Sequence, residues 1–397
     1  MSTGEAVHTP AQTRPARRAA RPLVFATVLF TVLGLLFGVP WWTVAVAADW
    51  PGPWGTAATV LFACALLSLP GLMFLGHGRR VDWAARAGDT TLGLVWVLFA
   101  WSVIGNVVLR TALSLAGVQD PARSRVVAIS VLTVAFGLSL WGAVEAMRVP
   151  RVKRVDVTID RLGPGLDGTT VVLLTDTHYG PIDRSRWAAR VAETVNRLRP
   201  DIVCHTGDIA DGTVGQRASQ AQSLGSIDAK LTRVYVTGNH EYYGETGQAA
   251  AWTSYMGSLG WQALENRHLT VERGGDRLVV AGIDDATART SDLTAALAGA
   301  DPTLPVLLLA HQPKQVALAA AASVDLQISG HTHGGQIWPF HYMVRLDQPS
   351  VVGLTRHGSR TQLYTSRGTG FWGPPLRVFA PSEITLITLR SPTAAAD

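Results

Sequence analysis

The chain has 397 residues, enough for two folded units, and is 47% hydrophobic but only 16% charged, with a formal net charge of +5. That balance excludes an ordinary water-soluble single domain, and the apolar excess is uneven: eight of 13 tryptophans precede residue 150, whereas nine of 11 histidines follow it. The two cysteines, Cys64 in an apolar run and Cys204 in a predicted buried strand, form no CxxC pair and exclude both a disulfide scaffold and a cysteine zinc site.

Residues 1–21, rich in proline, arginine and small side chains, read as a disordered cytoplasmic tail. Four apolar runs follow, at Leu23–Ala47, Thr56–Leu75, Thr91–Leu113 and Val126–Ala146. Each has the roughly 20 residues that a helix needs to cross the hydrocarbon core. Each is apolar nearly all round, as a membrane span is and a soluble bundle helix is not. A signal peptide does not fit the first run, which is too long and is followed by three more. Residues 22–148 are therefore expected to form four transmembrane helices.

Arginine placement sets an orientation. Arg79, Arg80 and Arg86 lie in the 77–90 loop, whereas the 48–55 loop has no lysine or arginine. The positive-inside rule then puts the N-terminus, the 77–90 loop and everything after residue 148 in the cytoplasm, for a multi-pass protein of the cell membrane. Trp41, Trp42, Trp50 and Trp54 make an aromatic belt at the outer interface. Arg14, Arg17, Arg18 and Arg21 precede the spans, and Arg148, Arg151, Lys153 and Arg154 follow them, so topology accounts for the positive charge and no nucleic-acid partner is expected. Asn106 and Arg110 are polar groups in the third span, with Arg110 near enough to its end to snorkel.

After a linker expected from Pro150 to about Arg161, a second unit extends to residue 390, with 391–397 as a loose tail. Strands are predicted at Thr170–Thr175, Asp201–Thr206, Val234–Thr237, Leu278–Ile283, Val306–Ala310, Leu326–Ser329 and Ile384–Leu389. Ser185–Leu198 carries apolar residues at helical spacing. This alternation predicts an α/β unit whose strands are buried on both faces.

Five polar segments directly follow predicted strands: Asp176-Thr-His178, Gly207-Asp208, Gly238-Asn-His-Glu241, His311, and Gly330-His-Thr-His333. Parallel strands present their carboxyl ends at one edge, where ligands bind. Asp176, Asp208, Asn239, His178, His240, His311, His331 and His333 would meet there. Imidazole and carboxylate together suit divalent first-row metals. Eight groups exceed the needs of one octahedral ion and suit two ions sharing a bridging carboxylate. In Asp-x-His and His-x-His, an extended backbone would turn both side chains to the same side.

These five segments in this order resemble the calcineurin-like metallophosphoesterase superfamily over residues 155–390. Tyr364-Thr-Ser-Arg-Gly368, Pro374-Pro375 and Ala380-Pro-Ser-Glu-Ile384 resemble its bacterial branch with N-terminal membrane segments. The resemblance implies a four-layer α/β/β/α metallophosphoesterase sandwich over 149–390, preceded here by the four-helix transmembrane region. It implies that Asp176, His178 and His333 hold one divalent ion, that Asn239, His311 and His331 hold the other, and that Asp208 bridges them. His240 is then the catalytic histidine. Manganese is the favoured metal, with iron or zinc as alternatives. The implied reaction is hydrolysis of phosphate esters or phosphoanhydrides by a metal-bridging hydroxide, with a phosphorylated substrate: a lipid-linked phosphate or pyrophosphate, a nucleotide or a phosphoprotein.

Thr177 and Tyr179 depart from residues common in the family beside the first histidine, which bears on substrate shape. Arg367 is a weaker substrate-contact candidate, a structural loop contact being the alternative. His205 is expected to pack in its strand, Asp211-Gly212 to form a turn, and Asp284 and Asp285 to cap a loop or form a surface turn. The rival reading of the chain is a non-enzymatic membrane sensor or scaffold with a metal-binding module. A lapsed enzyme commonly loses a ligand or the catalytic histidine, and every expected position is filled here.

Overall fold

A computed structural model describes residues 16–392, with side chains from Val24 onward. The expected N-terminal tail and the last five residues lie largely outside that range. Four helices are long and apolar enough to cross a membrane: α1 (Ala16–Trp41), α2 (Trp54–Met73), α3 (Asp82–Ile104) and α4 (Ala122–Met147). Their outward side chains, such as Phe30, Leu61 and Leu67, are 70–79% exposed, as a lipid-facing surface requires. α1, α2 and α3 each run into a wider π-helical turn, at Trp42–Val46, Phe74–Gly78 and Gly105–Leu109.

The described residues form two compact units. One holds the segments up to Leu67 and Leu98–Leu132. Inside it Asn106 Nδ2 donates to Thr43 Oγ1 at 2.7 Å. Arg110 does not reach out alone: it donates to Ser124 Oγ at 3.0 Å and lies over the Trp42 ring. The polar groups of the third span thus bond to neighbouring helices, where an unpaired donor would be costly.

The other unit holds Ser68–Val97 and the chain from Thr133 onward. Its strands are β1 (Arg151–Thr158), β2 (Thr170–Leu174), β3 (Ile202–His205), β4 (Thr232–Tyr235), β5 (Gln262–Ala263), β6 (Arg267–Arg273), β7 (Asp276–Gly282), β8 (Val306–Leu309), β9 (Leu326–Ser329), β10 (Gly353–His357), β11 (Thr361–Thr365) and β12 (Glu383–Arg390). They form two six-stranded sheets, ordered β1-β12-β2-β3-β4-β5 and β10-β11-β9-β8-β7-β6. The expected linker after Pro150 is in fact strand β1, paired in parallel with β12 from Arg151↔Glu383 to Thr158↔Arg390. It is a sheet edge: its charged residues are exposed, Val155 and Val157 pack between the sheets, and Val152 packs on the helical side.

Strand alternation sorts the core into three layers of contact. Val171, Leu173, Ile202, Cys204 and Val234 of the first sheet meet Leu278, Val280, Leu307, Leu309, Leu326 and Ile328 of the second. Val172, Leu174, Val203 and Tyr235 face the other way. They pack on α5 (Ser185–Leu198), α6 (Val214–Ala221) and α7 (Gln248–Ser258). Val279, Ala281 and Leu308 pack on α8 (Leu293–Leu297) and α9 (Val316–Ala321). The result is an α/β/β/α sandwich, in which each fully buried Val, Leu or Ile contributes about 1.5–3 kcal/mol. In each sheet a parallel run, β2-β3-β4 and β7-β8-β9, ends at the same rim.

Candidate active site

Every motif residue leaves a strand end at this rim. Asp176 and His178 follow β2, Asp208 follows β3, Asn239 and His240 follow β4, His311 follows β8, and His331 and His333 follow β9. The backbone there is not extended, contrary to the expectation for the paired motifs. Asp176, His178, Asp208, His331 and His333 have φ of +53°, +41°, +54°, +70° and +51°, in the left-handed region that non-glycine residues rarely adopt. Such strain clusters at functional sites, where the surroundings hold the chain in place. At Gly238 and Gly330 even a Cβ would collide, with Asp208 Oδ1 at the first and with Asp176 Oδ2 and Thr175 Oγ1 at the second.

The side chains converge. His333 Nε2 and Asp176 Oδ1 are 3.5 Å apart, and His178 Nε2 lies 3.2 Å from His333 Nε2 and 3.5 Å from Asp208 Oδ2. Asn239 Oδ1 lies 3.0 Å from His311 Nε2 and 2.8 Å from His331 Nδ1. His311 Nε2 lies 3.2 Å from Asp208 Oδ2. Asp176, His178 and His333 form one group with ligand atoms within 4.8 Å of one another, and Asp208, His311 and His331 form another; Asp208 also groups with His178 and His240.

Hydrogen-bond chemistry shows that this donor set fits cations. His311 Nδ1 lies 2.7 Å from the Thr206 carbonyl, which only accepts, so that nitrogen carries the proton. Nε2 of the neutral ring is then a lone pair facing Asp208 Oδ2 and Asn239 Oδ1. His178 repeats the pattern: Nδ1 lies 3.0 Å from Asp211 Oδ1, leaving Nε2 as a lone pair 3.5 Å from Asp208 Oδ2. Such a cluster requires positive charge at its centre. In the ion-free chain a proton meets part of this need. Burial opposes protonation of His311, but Asp208 outweighs it and raises the pKa well above the usual imidazole range. Burial, together with His311, drops His331 to about 3, and burial with His178 puts His333 well below its ordinary value, so both are neutral and able to ligate.

Asp211 is not the simple turn residue its sequence suggests. Its Oδ1 lies 2.7 Å from His240 Nδ1 as well as 3.0 Å from His178 Nδ1. Burial opposes protonation of His240, but Asp208 and then Asp211 overcome it and hold the pKa up at about 9. Glu241 is the loops' cross-brace. Its carboxylate accepts from the amides of Asp208 at 3.0 Å, Ile209 at 2.8 Å and Gly238 at 2.6 Å.

Arg184 lies between the Trp187 and Phe371 rings and donates to the carbonyls of Thr177 and His178. The tail loop supports Asp176 from below: Gly370 N donates to Asp176 O at 2.9 Å, and the buried Arg377 donates to Gly370, Ala380 and Arg367 carbonyls. Distance in sequence hid these roles, although a wholly apolar loop bearing one arginine is a usable signal for Arg377.

Thr177 and Tyr179 are fully buried, so they shape the loop and not the cleft. His205 packs in β3, and Asp285 caps its loop by accepting from Thr287 N at 2.7 Å and from Gln312 Nε2. Arg367 lies 3.9 Å from Glu383 and lines a separate recess with Lys153, Arg154 and Tyr364. The first turns of α3 also reach this region. Arg86 and Asp89 line a narrow recess with His178, Arg184, Asp211 and Phe371, and His77 Nε2 lies 2.9 Å from Asp89 Oδ1.

Residues 169–335 match the calcineurin-like phosphoesterase family. A "transmembrane protein with metallophosphoesterase domain" of Danio rerio is 35% identical over 338 residues, 80% of this chain and 76% of that protein. An uncharacterised metallophosphoesterase of Helicobacter pylori is 36% identical over 65% of this chain and 70% of its own length. Among solved structures, a dimetal phosphatase from Danio rerio aligns with a TM-score of 0.33 and 15% identity, over 51% of this chain and 88% of that one. By motif, fold and relatives the chain belongs to the calcineurin-like phosphoesterase family and is a membrane-associated, metal-dependent phosphoesterase.

Proposed function

We propose that the protein hydrolyses phosphate esters or phosphoanhydrides at a two-metal centre on the cytoplasmic face of the cell membrane, with a catalytic domain over residues 149–390 carried by a multi-pass anchor. In this reading Asp176, His178 and His333 hold one divalent ion, Asn239, His311 and His331 hold the other, and Asp208 serves both. The single observation that carries it is the convergence of His311 Nε2, Asp208 Oδ2 and Asn239 Oδ1, acceptor atoms that a cation would satisfy. A cation pair supplies acidification of the attacking water and neutralisation of charge on the phosphoryl oxygens. Manganese is the metal we favour.

The chain's own residues do the rest. Asp211 fixes His240 through Nδ1, which leaves Nε2 to stabilise the transition state or to protonate the leaving oxygen. Arg184 and Glu241 keep the ligand loops in their strained turns. A lipid-linked phosphate is the substrate class we favour. In support, Arg86 and Asp89, in the first turns of the apolar helix α3, border the recess beside His178 and Asp211.

The test is hydrolysis by the full-length protein. With manganese present it should cleave bis-p-nitrophenyl phosphate or p-nitrophenyl phosphate, lose that activity on chelation and regain it on metal return. A fully active, chelator-treated protein shown by elemental analysis to be metal-free would refute the mechanism. Comparison of lipid and nucleotide profiles of cells with and without active enzyme would then identify the substrate.

A further inference from the structure

The turn between α2 and α3 does more than join two apolar helices. Asp82, the first residue of α3, accepts from both terminal nitrogens of Arg217: Nη1 donates to Oδ2 at 2.9 Å and Nη2 to Oδ1 at 2.5 Å. The same guanidinium donates through Nε to the backbone carbonyl of Asp211 at 3.1 Å. Asp211 is the carboxylate that holds both His178 and His240. Two residues before Asp82, Arg80 Nη1 donates to Glu245 Oε1 at 2.7 Å, in the loop that continues from His240. One turn therefore grips both loops that carry the Asp211–His240 pair, across 135 and 165 residues of sequence.

The two ties are unequal. Arg80 and Glu245 are 32% and 73% exposed, and an open ion pair of this kind contributes little. Arg217 is only 8% exposed and Asp82 43%, so water reaches this pair from the Asp82 side alone and competes less for the Arg217 hydrogen bonds. Its planar fork matches a carboxylate on one edge while Nε remains for the Asp211 carbonyl, a geometry that lysine cannot reproduce.

Resting on the phosphoesterase reading of the cleft, we propose that Asp82 and Arg217 are positioning residues for the reaction. Asp82 fixes Arg217, Arg217 fixes the Asp211 loop, and Asp211 fixes the orientation of His240. Turnover then depends on a hairpin of membrane-type helices whose own residues touch no reacting atom.

The test uses the full-length protein in lipid nanodiscs with manganese and bis-p-nitrophenyl phosphate. Asp82→Asn should lower kcat about tenfold or more, the scale expected of a small misplacement of a reacting group. KM should stay at its wild-type value, and manganese affinity should fall less than kcat, because Asp211 also orients His178. Asp82→Glu should recover most of the loss, because it keeps an acceptor for the fork. Arg217→Lys should reproduce the Asp82→Asn loss, and the double variant should fall little further, because both changes break one relay. Wild-type kcat in Asp82→Asn would overturn the proposal. So would a loss of kcat that saturating manganese fully restores, or a site that no longer holds manganese at all, which is collapse and not misorientation. An inactive wild type would defeat the phosphoesterase reading itself, and this proposal with it.

Discussion

Asp211 Oδ1 stands 2.7 Å from His240 Nδ1 and, by the same oxygen, 3.0 Å from His178 Nδ1. One carboxylate thus sets the tautomer and orientation of a metal-ligand candidate and of the catalytic candidate together. Partners behind a metal-ligating histidine typically tune affinity or activity by about 10–100-fold. Asp211→Asn should therefore lower kcat by about that range while weakening manganese binding. Steady-state kinetics across a manganese titration would separate the two effects, and wild-type values in both would show that the contact is idle.

Asp208 groups with His178 and His240 on one side and with His311 and His331 on the other, so its loss should be felt on both sides. Asp208→Ala should abolish hydrolysis and reduce bound metal, read by elemental analysis of the purified protein. Equal activity in wild type and variant would count decisively against the two-metal mechanism.

His240 separates chemistry from metal retention. Its Nδ1 is held by Asp211 and its backbone N donates to Asp208 Oδ1 at 2.9 Å, so its ring is aimed without carrying the ligand cluster. His240→Ala should lower kcat by about 100-fold or more, as removal of a general acid does, and leave most of the metal in place. Loss of half or more of the metal would instead make His240 a ligand.

Glu241 accepts from three buried amides, so truncating it leaves three donors unpaired. Glu241→Ala should cost about 3 kcal/mol or more in unfolding free energy, since each orphaned buried donor costs about 1–3 kcal/mol. Burial and then the neighbouring Asp208 raise its pKa to about 7. Urea unfolding of the two proteins, monitored by tryptophan fluorescence, would read the difference.

Acid should weaken the first sheet through Asp201. Burial pushes this carboxyl up, but the Thr170 amide at 2.8 Å, the Lys230 ammonium at 2.9 Å and the Thr170 hydroxyl outweigh it and hold the pKa below its ordinary value of 3.8. A depressed folded pKa means that the stabilisation is present above 3.8 and is lost as the pH falls through the lower folded value. Asp201→Asn should therefore cost thermal stability at pH 7 and almost none once the pH is below both values. Parallel melting curves that show a pH-independent gap would remove the ionised carboxylate from the account.

Much of the site was legible because its donors sit directly after strands, where local pattern and register decide position. The run Val171–Leu174 is continuous and apolar, so the strand could be read, and Asp176 and His178 could be assigned to its far end. The same reading supplied Asp208, His311, His331 and His333. Strand β1 escaped because Arg151–Thr158 breaks strict alternation, with Lys153 and Arg154 side by side, and so resembles a charged linker. The left-handed turns at Asp176 and His178 escaped because Asp and His, though they tolerate that region better than most residues, adopt it only where the packing around them holds them there.

What the chain's sequence determined by itself was therefore the apolar spans, the period of the sandwich strands and the inventory of donors at the rim. Each of these rests on residues adjacent along the backbone, whose burial follows from their own chemistry and spacing. Only the tertiary structure decided that Asp211 serves His240, that Glu241 ties its own loop to that of Asp208, and that Asp82 reaches Arg217. These hydrogen bonds join groups that are common on any surface, and what makes them significant is their exclusion from water after distant segments have packed together.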